Sequence, residues 1–316
     1  MAMTGETSPS RLTERWVKNG RIVVPDSTIP WMSTYAGPTF AISRGDLVRL
    51  YVTGRDACNQ SRIGIVDTRI DDNGVEVMST HSEPVFDLGE VGLFDESGVS
   101  YPWLVEHGER IFMYYVGWVA GGRSGFQNHL GLAVSEDNGL SFERYSRLPL
   151  LERTEEEPFG SGSCAVWVAE DGWHMIYTAF EPWQKTKQGL RPCYRLKEAV
   201  SENGTDWHRT GRILVDFKNE NEHVICKPMV IQESGKTRLW YSYRGNSYRI
   251  GYAESSNDHH FVRMDSDAGI DISPTGWDSE MIEYAFIFDH NSIRYMIYNG
   301  NSYGLTGLGL AVSERG

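Results

Sequence analysis

The chain of 316 residues is short of positive charge and of long apolar runs. Its 30 Lys and Arg stand against 43 Asp and Glu, which gives a formal net charge of −13 at pH 7. Because phosphate backbones and anionic membrane surfaces select Lys- and Arg-rich proteins, this balance argues against nucleic acid and membrane as partners. No apolar stretch reaches the roughly 18 residues that a transmembrane helix needs.

Cysteine is also scarce, and the four cysteines lie far apart at Cys58, Cys164, Cys193 and Cys226. None has the CxxC or Cys/His spacing of a metal site, so we predict reduced thiols and no metal ligand set. The initial sequence MAMTGETSPS lacks the basic and then apolar pattern of a signal peptide. We therefore expect a cytoplasmic protein, although a processed leader would leave the same pattern.

Glycine and aromatic residues are abundant, with 33 Gly, 10 Trp, 16 Tyr and 12 Phe. Glycine-rich turns combined with many aromatics are typical of short strands. Almost no segment keeps an apolar period of 3.6 residues, which a helix would need. The predicted fold class is all-β.

Five segments repeat one pattern: a small residue or proline, an apolar strand, a polar turn and an aromatic strand. The repeats are anchored at Pro38, Pro102, Ala165, Pro228 and Tyr284, with spacings of 64, 63, 63 and 56 residues. Each predicts a β-hairpin, and a third strand follows it. The third strands begin near Ile63, Leu130, Leu196, Ile250 and Leu308.

Four strands in each of five repeats predict a five-bladed β-propeller, a single domain over 1–316 with residues 1–14 as a flexible tail. The fifth repeat has only three strands before the chain ends. The N-terminal segment Trp16-VKNGRIVVP matches the fourth strand of the third repeat, Trp207-HRTGRILVD. We therefore predict that the N-terminal strand joins the last blade and closes the ring, which leaves no open edge.

A propeller brings the loops before each first strand and after each second strand to one central funnel. The candidate catalytic residues in these loops are Asp95, Glu96, Glu222, His223 and Glu283. The candidate substrate-binding residues are Tyr35, Arg55, Asp56, Trp118, Ser163, Glu181, Trp183, Lys227, Arg244 and Asn301. Aromatic faces stack on sugar rings while amides and carboxylates bind hydroxyls, so the predicted partner is a small-molecule sugar or sugar derivative.

Several of these candidates have a structural alternative. Asp95 and Glu96 are explained equally well as solvated loop residues. Glu283 opens an otherwise apolar strand, so its carboxylate needs a ligand, a cation or a salt bridge to an arginine nearby. No cofactor is required, and a structural or catalytic divalent cation in the channel is left open.

The repeat resembles the five-bladed propeller glycoside hydrolases and their relatives, namely arabinanases and xylosidases of family 43, invertase-like enzymes of family 32 and mannoside phosphorylases of family 130. The resemblance implies three carboxylates near the starts of inner strands, two of them flanking the scissile bond. The motifs here differ. Ala36-Gly37-Pro38 has glycine where family 43 has the Asp of A-D-P, and Cys226-Lys227-Pro228 stands where an acid is expected.

We therefore expect a carbohydrate-active enzyme with a relocated acid–base set, similar to a glycoside hydrolase or to a phosphorylase or transferase. His223 would carry protons near neutral pH or help to bind a metal or phosphate, and Arg55, Arg123 and Arg244 suit a phosphate or carboxylate on the substrate. A catalytically silent sugar-binding propeller is one alternative, because the first-blade Asp is missing. A lyase, epimerase or cyclase that reuses the funnel, or a protein-interaction propeller, are others. The oligomeric state is left open.

Overall fold

The structure is a computed structural model that describes residues 14–71, 74–233, 235–256 and 260–314. Apart from Glu14, the predicted N-terminal tail lies outside these residues. The strands are β1 (Trp16–Val23), β2 (Tyr35–Arg44), β3 (Leu47–Arg55), β4 (Ser61–Asp71), β5 (Gly74–Thr80), β6 (Gly98–His107), β7 (Arg110–Ala120), β8 (Phe126–Ser135), β9 (Glu143–Arg144), β10 (Ser161–Ala169), β11 (Gly172–Thr186), β12 (Gly189–Ser201), β13 (His208–Ile213), β14 (Val224–Glu233), β15 (Lys236–Arg244), β16 (Tyr248–Ser255), β17 (Val262–Arg263), β18 (Glu283–His290), β19 (Ile293–Asn299) and β20 (Leu308–Ser313). The predicted all-β class is confirmed.

Helical structure in the described ranges is confined to two short 3₁₀ turns, Pro30–Met32 and Asp265–Asp267. Within those ranges, no helix has the length and apolar character needed to cross a membrane.

The described strands pair antiparallel in sets of four. Set 1 is β2–β5, set 2 is β6–β9, set 3 is β10–β13, set 4 is β14–β17, and set 5 combines β18, β19 and β20 with β1. Single parallel bridges connect set 1 to set 2 and set 3 to set 4. The first strand of each set packs against the first strand of the next, and β18 packs against β2.

The N-terminal strand β1 pairs antiparallel with β20, so the two ends of the chain share set 5. Trp16 is buried and meets the ring of Trp240 edge to face, with centroids 6.4 Å apart. The buried carboxylate of Glu14 accepts hydrogen bonds from Arg238 and Ser313. These contacts tie the start of the chain to set 4 as well as to set 5.

The first hairpin of every set has a bulge at the same register, where two residues of the first strand oppose one residue of the second. The pairs of bulged residues are 37–38, 101–102, 162–163, 227–228 and 284–285. The sequence anchors Ala165 and Tyr284 were therefore wrong: Ser163 and Ala285 share the register of Pro38. The sequence did not show this because proline marks the bulge only in sets 1, 2 and 4.

At three of the bulges a residue other than glycine has positive φ, namely Tyr101 at 54°, Lys227 at 49° and Tyr284 at 60°. Such conformations cost energy and persist only where the surroundings impose them. Here the peptide N–H of the strained residue donates to a hydroxyl of the preceding set. The acceptors are Thr53 for Tyr101 (3.1 Å), Ser163 for Lys227 (3.1 Å) and Ser242 for Tyr284 (2.8 Å).

A second repeated feature is a buried tyrosine on the second strand whose hydroxyl donates to a carboxylate. Tyr115 donates to Asp95 at 3.0 Å, and Arg144 binds the same carboxylate at 2.7 Å. The other examples are Tyr177 with Glu157, Tyr241 with Asp265, and Tyr298 with Asp278. In three of the four pairs the carboxylate precedes its tyrosine by 20 residues. Each carboxylate also pairs with a lysine or arginine, so these clusters anchor loops to the sheets.

Candidate functional site

One cavity of about 420 Å³ receives side chains from every one of the five sets. Its lining consists of aromatic, hydroxyl, amide and guanidinium groups, together with a few small or apolar residues. The lining residues are Arg55, Asn59, Ser100, Tyr101, Val116, Trp118, Gly125, Phe126, Asn128, Gly162, Ser163, Thr178, Phe180, Pro192, Tyr194, Cys226, Arg244, Tyr248, Tyr284 and Tyr303. This set contains no Asp or Glu.

The aromatic walls are held by contacts with one another. Tyr101 and Tyr284 meet edge to face with centroids 5.3 Å apart, and Phe180 and Tyr194 stack at 4.3 Å. The indole of Trp118 donates to the Ser61 hydroxyl at 2.7 Å, which fixes its ring. Rigid aromatic faces beside fixed polar groups are typical of sites that bind small, partly polar ligands.

Glu283 lies next to this cavity, at the start of β18. Its side chain is fully buried (0% exposed), and neither carboxylate oxygen has a hydrogen-bond partner among the described residues. Burial raises the pKa of the Glu283 carboxyl well above its usual range, and Tyr284 and Arg244 oppose this only in part. Burial and then the Glu283 carboxyl raise the pKa of Tyr284 in turn, so the carboxyl lies close behind this lining residue.

Lys227 is a second buried ionisable group, and it opens the bulge of β14. Its ammonium has no hydrogen-bond acceptor in the described part of the chain and lies over the rings of Trp103 at 5.5 Å and Phe286 at 6.0 Å. Burial lowers the pKa of the Lys227 ammonium to about 8. Its side chain is not part of the cavity lining, although the sequence predicted a binding role.

Several predicted residues do meet at the cavity. Arg55, Trp118, Ser163 and Arg244 line it. Two more lie against lining residues: the guanidinium of Arg55 lies over the Tyr35 ring at 4.8 Å, and Trp183 packs edge to face on Phe126 at 5.3 Å. With Glu283, seven predicted residues lie at or next to one site, and they come from all five sets.

The remaining predicted acids are directed elsewhere, because each has a partner close by. Asp95 is bound by Tyr115 and Arg144, while Glu96 accepts the peptide N–H of Gly92. Glu222 forms a paired contact with Arg263, at 2.7 and 3.0 Å. The expectation that these acids and Glu283 surround one pocket is therefore met only by Glu283.

The other predicted binding residues stabilise loops. Asp56 accepts the N–H groups of residues 58 and 60 and pairs with Arg62, which closes the turn after β3. The Asn301 side chain accepts the N–H groups of residues 280 and 281. Glu181 lies 3.5 Å from Lys197. None of the three lines the cavity.

His223 is buried and held by its backbone, whose N–H donates to the Arg244 carbonyl and whose carbonyl accepts from Tyr194. Burial lowers the pKa of the His223 imidazole, and Arg191 and Arg244 act in the same direction. The ring is thus held neutral near physiological pH, outside the cavity lining.

Among the lining residues that sequence reasoning missed are Tyr101 and Tyr284 as ligand-facing groups, together with Phe180 and Tyr194. Tyr101 and Tyr284 lie at bulges, so an X-Pro step inside an apolar strand was the available signal for Tyr101. Tyr194 pairs with Phe180 across β12 and β11, so the two rings line the cavity together. Among the described residues there is no group of three or more His, Cys, Asp or Glu arranged to hold a metal.

Known structures resemble this fold over nearly its whole length. A glycosyl hydrolase from Bacteroides ovatus matches with a TM-score of 0.72 at 14% identity, covering 97% of this chain and 95% of its own. A structure from the GH130 family of mannoside phosphorylases, which contains glycoside hydrolases that target β-1,2 mannosidic linkages in Candida mannan, matches with a TM-score of 0.71 at 14% identity, covering 98% and 96%. A thermostable family-43 glycoside hydrolase matches at 0.59 and 14%, covering 88% of each chain. The fold is thus similar to that of these β-propeller glycosidases.

No family model matches the sequence. Two proteins of Mycobacterium tuberculosis, Uncharacterized protein Rv1502 and Uncharacterized protein MT1551, are each 36% identical over 304 residues, which cover 95% of this chain and 99% of theirs. The chain belongs to the family of these two mycobacterial proteins.

Proposed function

We propose that the protein is a carbohydrate-active enzyme built on a five-bladed β-propeller that the N-terminal strand closes. The pairing of β1 with β20 and the packing of β18 against β2 support the closed ring. The single domain and the cytoplasmic location expected from the sequence stay predictions.

The ligand we propose is a saccharide bound in the 420 Å³ cavity. Cavities of ~300–1,000 Å³ accommodate small ligands. The faces of Trp118 and of the lining tyrosines suit the C–H faces of sugar rings, and Asn59, Asn128 and the lining hydroxyls suit sugar hydroxyls. The similar solved structures named as glycoside hydrolases and mannoside phosphorylases favour this class of ligand over a peptide.

The observation that carries the enzymatic proposal is the buried, unpartnered carboxyl of Glu283. Removing a carboxyl from water without a hydrogen bond is costly unless function retains it. In our proposal burial favours the protonated form of Glu283, which acts as the acid through its neighbour. As the glycosidic bond breaks, the Tyr284 hydroxyl passes its proton to the leaving oxygen and takes the proton of Glu283, while a water molecule adds to the anomeric carbon and releases its proton to solvent.

A specific observation favours a second candidate, the silent sugar-binding propeller. Cleavage of glycosides ordinarily uses two carboxyl groups across the bond, whereas no Asp or Glu of the described residues lines the cavity, and Asp95 and Glu222 are held in ion pairs. Wild-type turnover separates the two candidates, since a binding module releases no product.

Glu283→Gln and Glu222→Gln are a matched pair for this test. Each removes one carboxyl while keeping size, but only the first removes the proposed acid. On oligosaccharides that wild type cleaves, we expect Glu283→Gln to lower kcat by roughly 10²–10⁴-fold and to lose the alkaline limb of the pH–rate profile. Glu222→Gln should lower stability and leave kcat unchanged. Full activity in Glu283→Gln would refute the role of Glu283, and sugar binding without any wild-type turnover would establish the silent module.

A further inference from the structure

The cavity carries positive charge in a protein whose net charge is −13. Two guanidiniums, those of Arg55 and Arg244, belong to its lining, and no carboxylate does. Other arginines of this structure form ion pairs with carboxylates, for example Arg144 with Asp95 and Arg263 with Glu222. The described residues provide no such ion pair for Arg55 or Arg244.

Arg55 is fixed by neutral groups alone. One terminal nitrogen donates to the Asn59 side-chain oxygen at 2.8 Å. The guanidinium lies between aromatic rings, 4.8 Å from the centroid of Tyr35 and 5.4 Å from that of Trp118. Its Nε is buried and has no acceptor among the described residues. The position of the group is therefore set, while its charge is not neutralised.

Arg244 is held in a similar way from set 4. One terminal nitrogen donates to the Tyr303 hydroxyl at 3.0 Å, and the guanidinium lies 5.3 Å from the centroid of Tyr248. Its Nε is likewise buried without an acceptor in the described part of the chain. Both arginines thus keep an N–H donor without an acceptor among the described residues, while a hydrogen bond and an aromatic ring hold each guanidinium in place.

The loop that follows β19 contacts the surroundings of both arginines. Tyr303, which binds Arg244, is followed by Gly304, and a Cβ there would lie 2.6 Å from the ring of Tyr35. The Gly304 carbonyl accepts the N–H of residue 36 at 3.0 Å. Tyr35 in turn lies under Arg55. A continuous line of contacts, Arg55, Tyr35, Gly304, Tyr303 and Arg244, therefore connects the two guanidiniums.

We infer that the saccharide bound in this cavity carries an oxyanion, a carboxylate or a phosphoryl group attached to the sugar, and that Arg55 and Arg244 bind it together. This inference rests on the proposed function. Guanidinium groups bind oxyanions through paired charge-assisted hydrogen bonds, and a partly desolvated guanidinium without a carboxylate gains most from such a ligand. Burial raises the pKa of the Glu283 carboxyl and so favours its neutral form, which does not repel an anion.

The test compares sugars that differ only in the charged group. Glucose, galactose and mannose are titrated by calorimetry into the full-length protein beside their uronic acids, their 6-phosphates and their 1-phosphates, with inorganic phosphate as a further probe. We expect at least one charged sugar to bind about 10-fold or more tightly than its neutral parent. The series that binds with the higher affinity, uronic acids or sugar phosphates, identifies the oxyanion.

The variants assign the effect to the two arginines. Arg55→Gln and Arg244→Gln should each lower the affinity for the charged sugar by roughly 10-fold or more and leave the affinity for the neutral sugar nearly unchanged. Arg147→Gln is the matched control, because it removes one positive charge from an exposed pair with Glu90. Unchanged affinity for the charged sugar in both cavity variants would overturn the inference.

The remaining outcomes separate this inference from the proposed function. Equal binding of neutral and charged sugars overturns the inference and leaves the saccharide site standing. Inorganic phosphate that binds as tightly as the sugar phosphates also overturns it, because the anion then binds without the sugar. If no sugar binds, whether charged or neutral, both proposals are overturned.

Discussion

The ammonium of Lys18 on β1 lies 2.6 Å from a carboxylate oxygen of Asp278, a residue 260 positions further along the chain. Asp278 is almost fully buried, and its carboxylate also accepts the Tyr298 hydroxyl at 3.0 Å. This contact joins the N-terminal strand to the loop before β18. The stability of the last set therefore depends on a strand from the other end of the chain.

Removing the N-terminal strand should open set 5. Deletion of residues 1–25 removes β1, the Trp16 contact and the Glu14 and Lys18 ion pairs, and it exposes the edge of β20. We expect the loss of most of the ~5–15 kcal/mol that stabilises a typical domain, or association through the open edge, measured by thermal unfolding and light scattering. Deletion of residues 1–13 is the control, because it keeps β1 and Glu14. A monomer with unchanged Tm after the larger deletion would contradict the closed ring.

The Lys18–Asp278 pair should make stability depend on pH in the acid range. Although burial acts to raise it, hydrogen bonds from Lys18 and Ser273 hold the pKa of Asp278 below its usual 3.8. Because the folded pKa is the lower one, the stabilisation is complete above pH 3.8 and disappears as the pH falls through the folded value. Lys18→Met should cost roughly 1–3 kcal/mol in urea unfolding at pH 7, since Asp278 stays buried. The difference from wild type should shrink as the pH falls below 3.8, and a constant difference would show that the charge of Asp278 is not involved.

Much of the fold was predictable because the pattern occurs five times. Turns, third strands and the match between Trp16-VKNGRIVVP and Trp207-HRTGRILVD all lie where strands pair in the structure. A repeated hydrophobic pattern reports backbone pairing reliably, since each strand must bury one face against its neighbours. The bulges with positive φ were not predicted, because sequence spacing does not reveal two residues opposite one.

The site was predictable only in part, because several carboxylates near the funnel recur in the repeats for structural reasons. Asp95 and Glu222 precede first strands, as funnel residues should. Glu157 and Asp278 precede first strands too, and each of the four carboxylates forms a salt bridge with a lysine or arginine. A carboxylate that recurs before the first strand of several repeats is therefore explained by its structural role in each repeat. Glu283 differs, because no other set has an acid at the residue before the bulge: the others carry Ala36, Ser100, Ser161 and Cys226.

The glycine in Ala36-Gly37-Pro38 should not accept the acid that the family-43 motif has at this position. A Cβ at Gly37 would lie 2.1 Å from the ring of Tyr35, which fills the space. We expect wild type to show little or no hydrolysis of aryl arabinosides or xylosides, and Gly37→Asp to lower the Tm without creating that activity. Gly45→Asp is a control for the added acid, since its Cβ would have nothing within 4 Å, although its φ of 59° adds a backbone strain that Gly37 does not have. A smaller loss of Tm at position 45 would therefore assign the loss at position 37 to the clash with Tyr35. Brisk aryl-glycoside hydrolysis by wild type would show that this chemistry does not need a first-strand acid, and hydrolysis by Gly37→Asp alone would show that the site can accept that acid after all.

The buried ammonium of Lys227 should destabilise the fold at neutral pH. Since burial lowers the pKa of this lysine to about 8 from its ordinary 10.5, the unfolded chain binds the proton more tightly between these two values. Its contribution to stability therefore rises as the pH increases from 8 to 10.5. Lys227→Met keeps the contacts with the rings of Trp103 and Phe286 and removes the charge.

At pH 7 we expect Lys227→Met to be more stable than wild type by up to roughly 3 kcal/mol in urea unfolding, and this advantage to decline toward pH 10.5. Lys236→Met is the matched control, because its ammonium is half-exposed and paired with Glu254, so its difference from wild type should not change in this way. Sugar affinity should be unchanged in Lys227→Met, because the side chain lies outside the cavity lining. A variant that is less stable at pH 7, or whose advantage is the same at every pH, would mean that the ammonium is compensated within the fold and that the rings of Trp103 and Phe286 stabilise its charge.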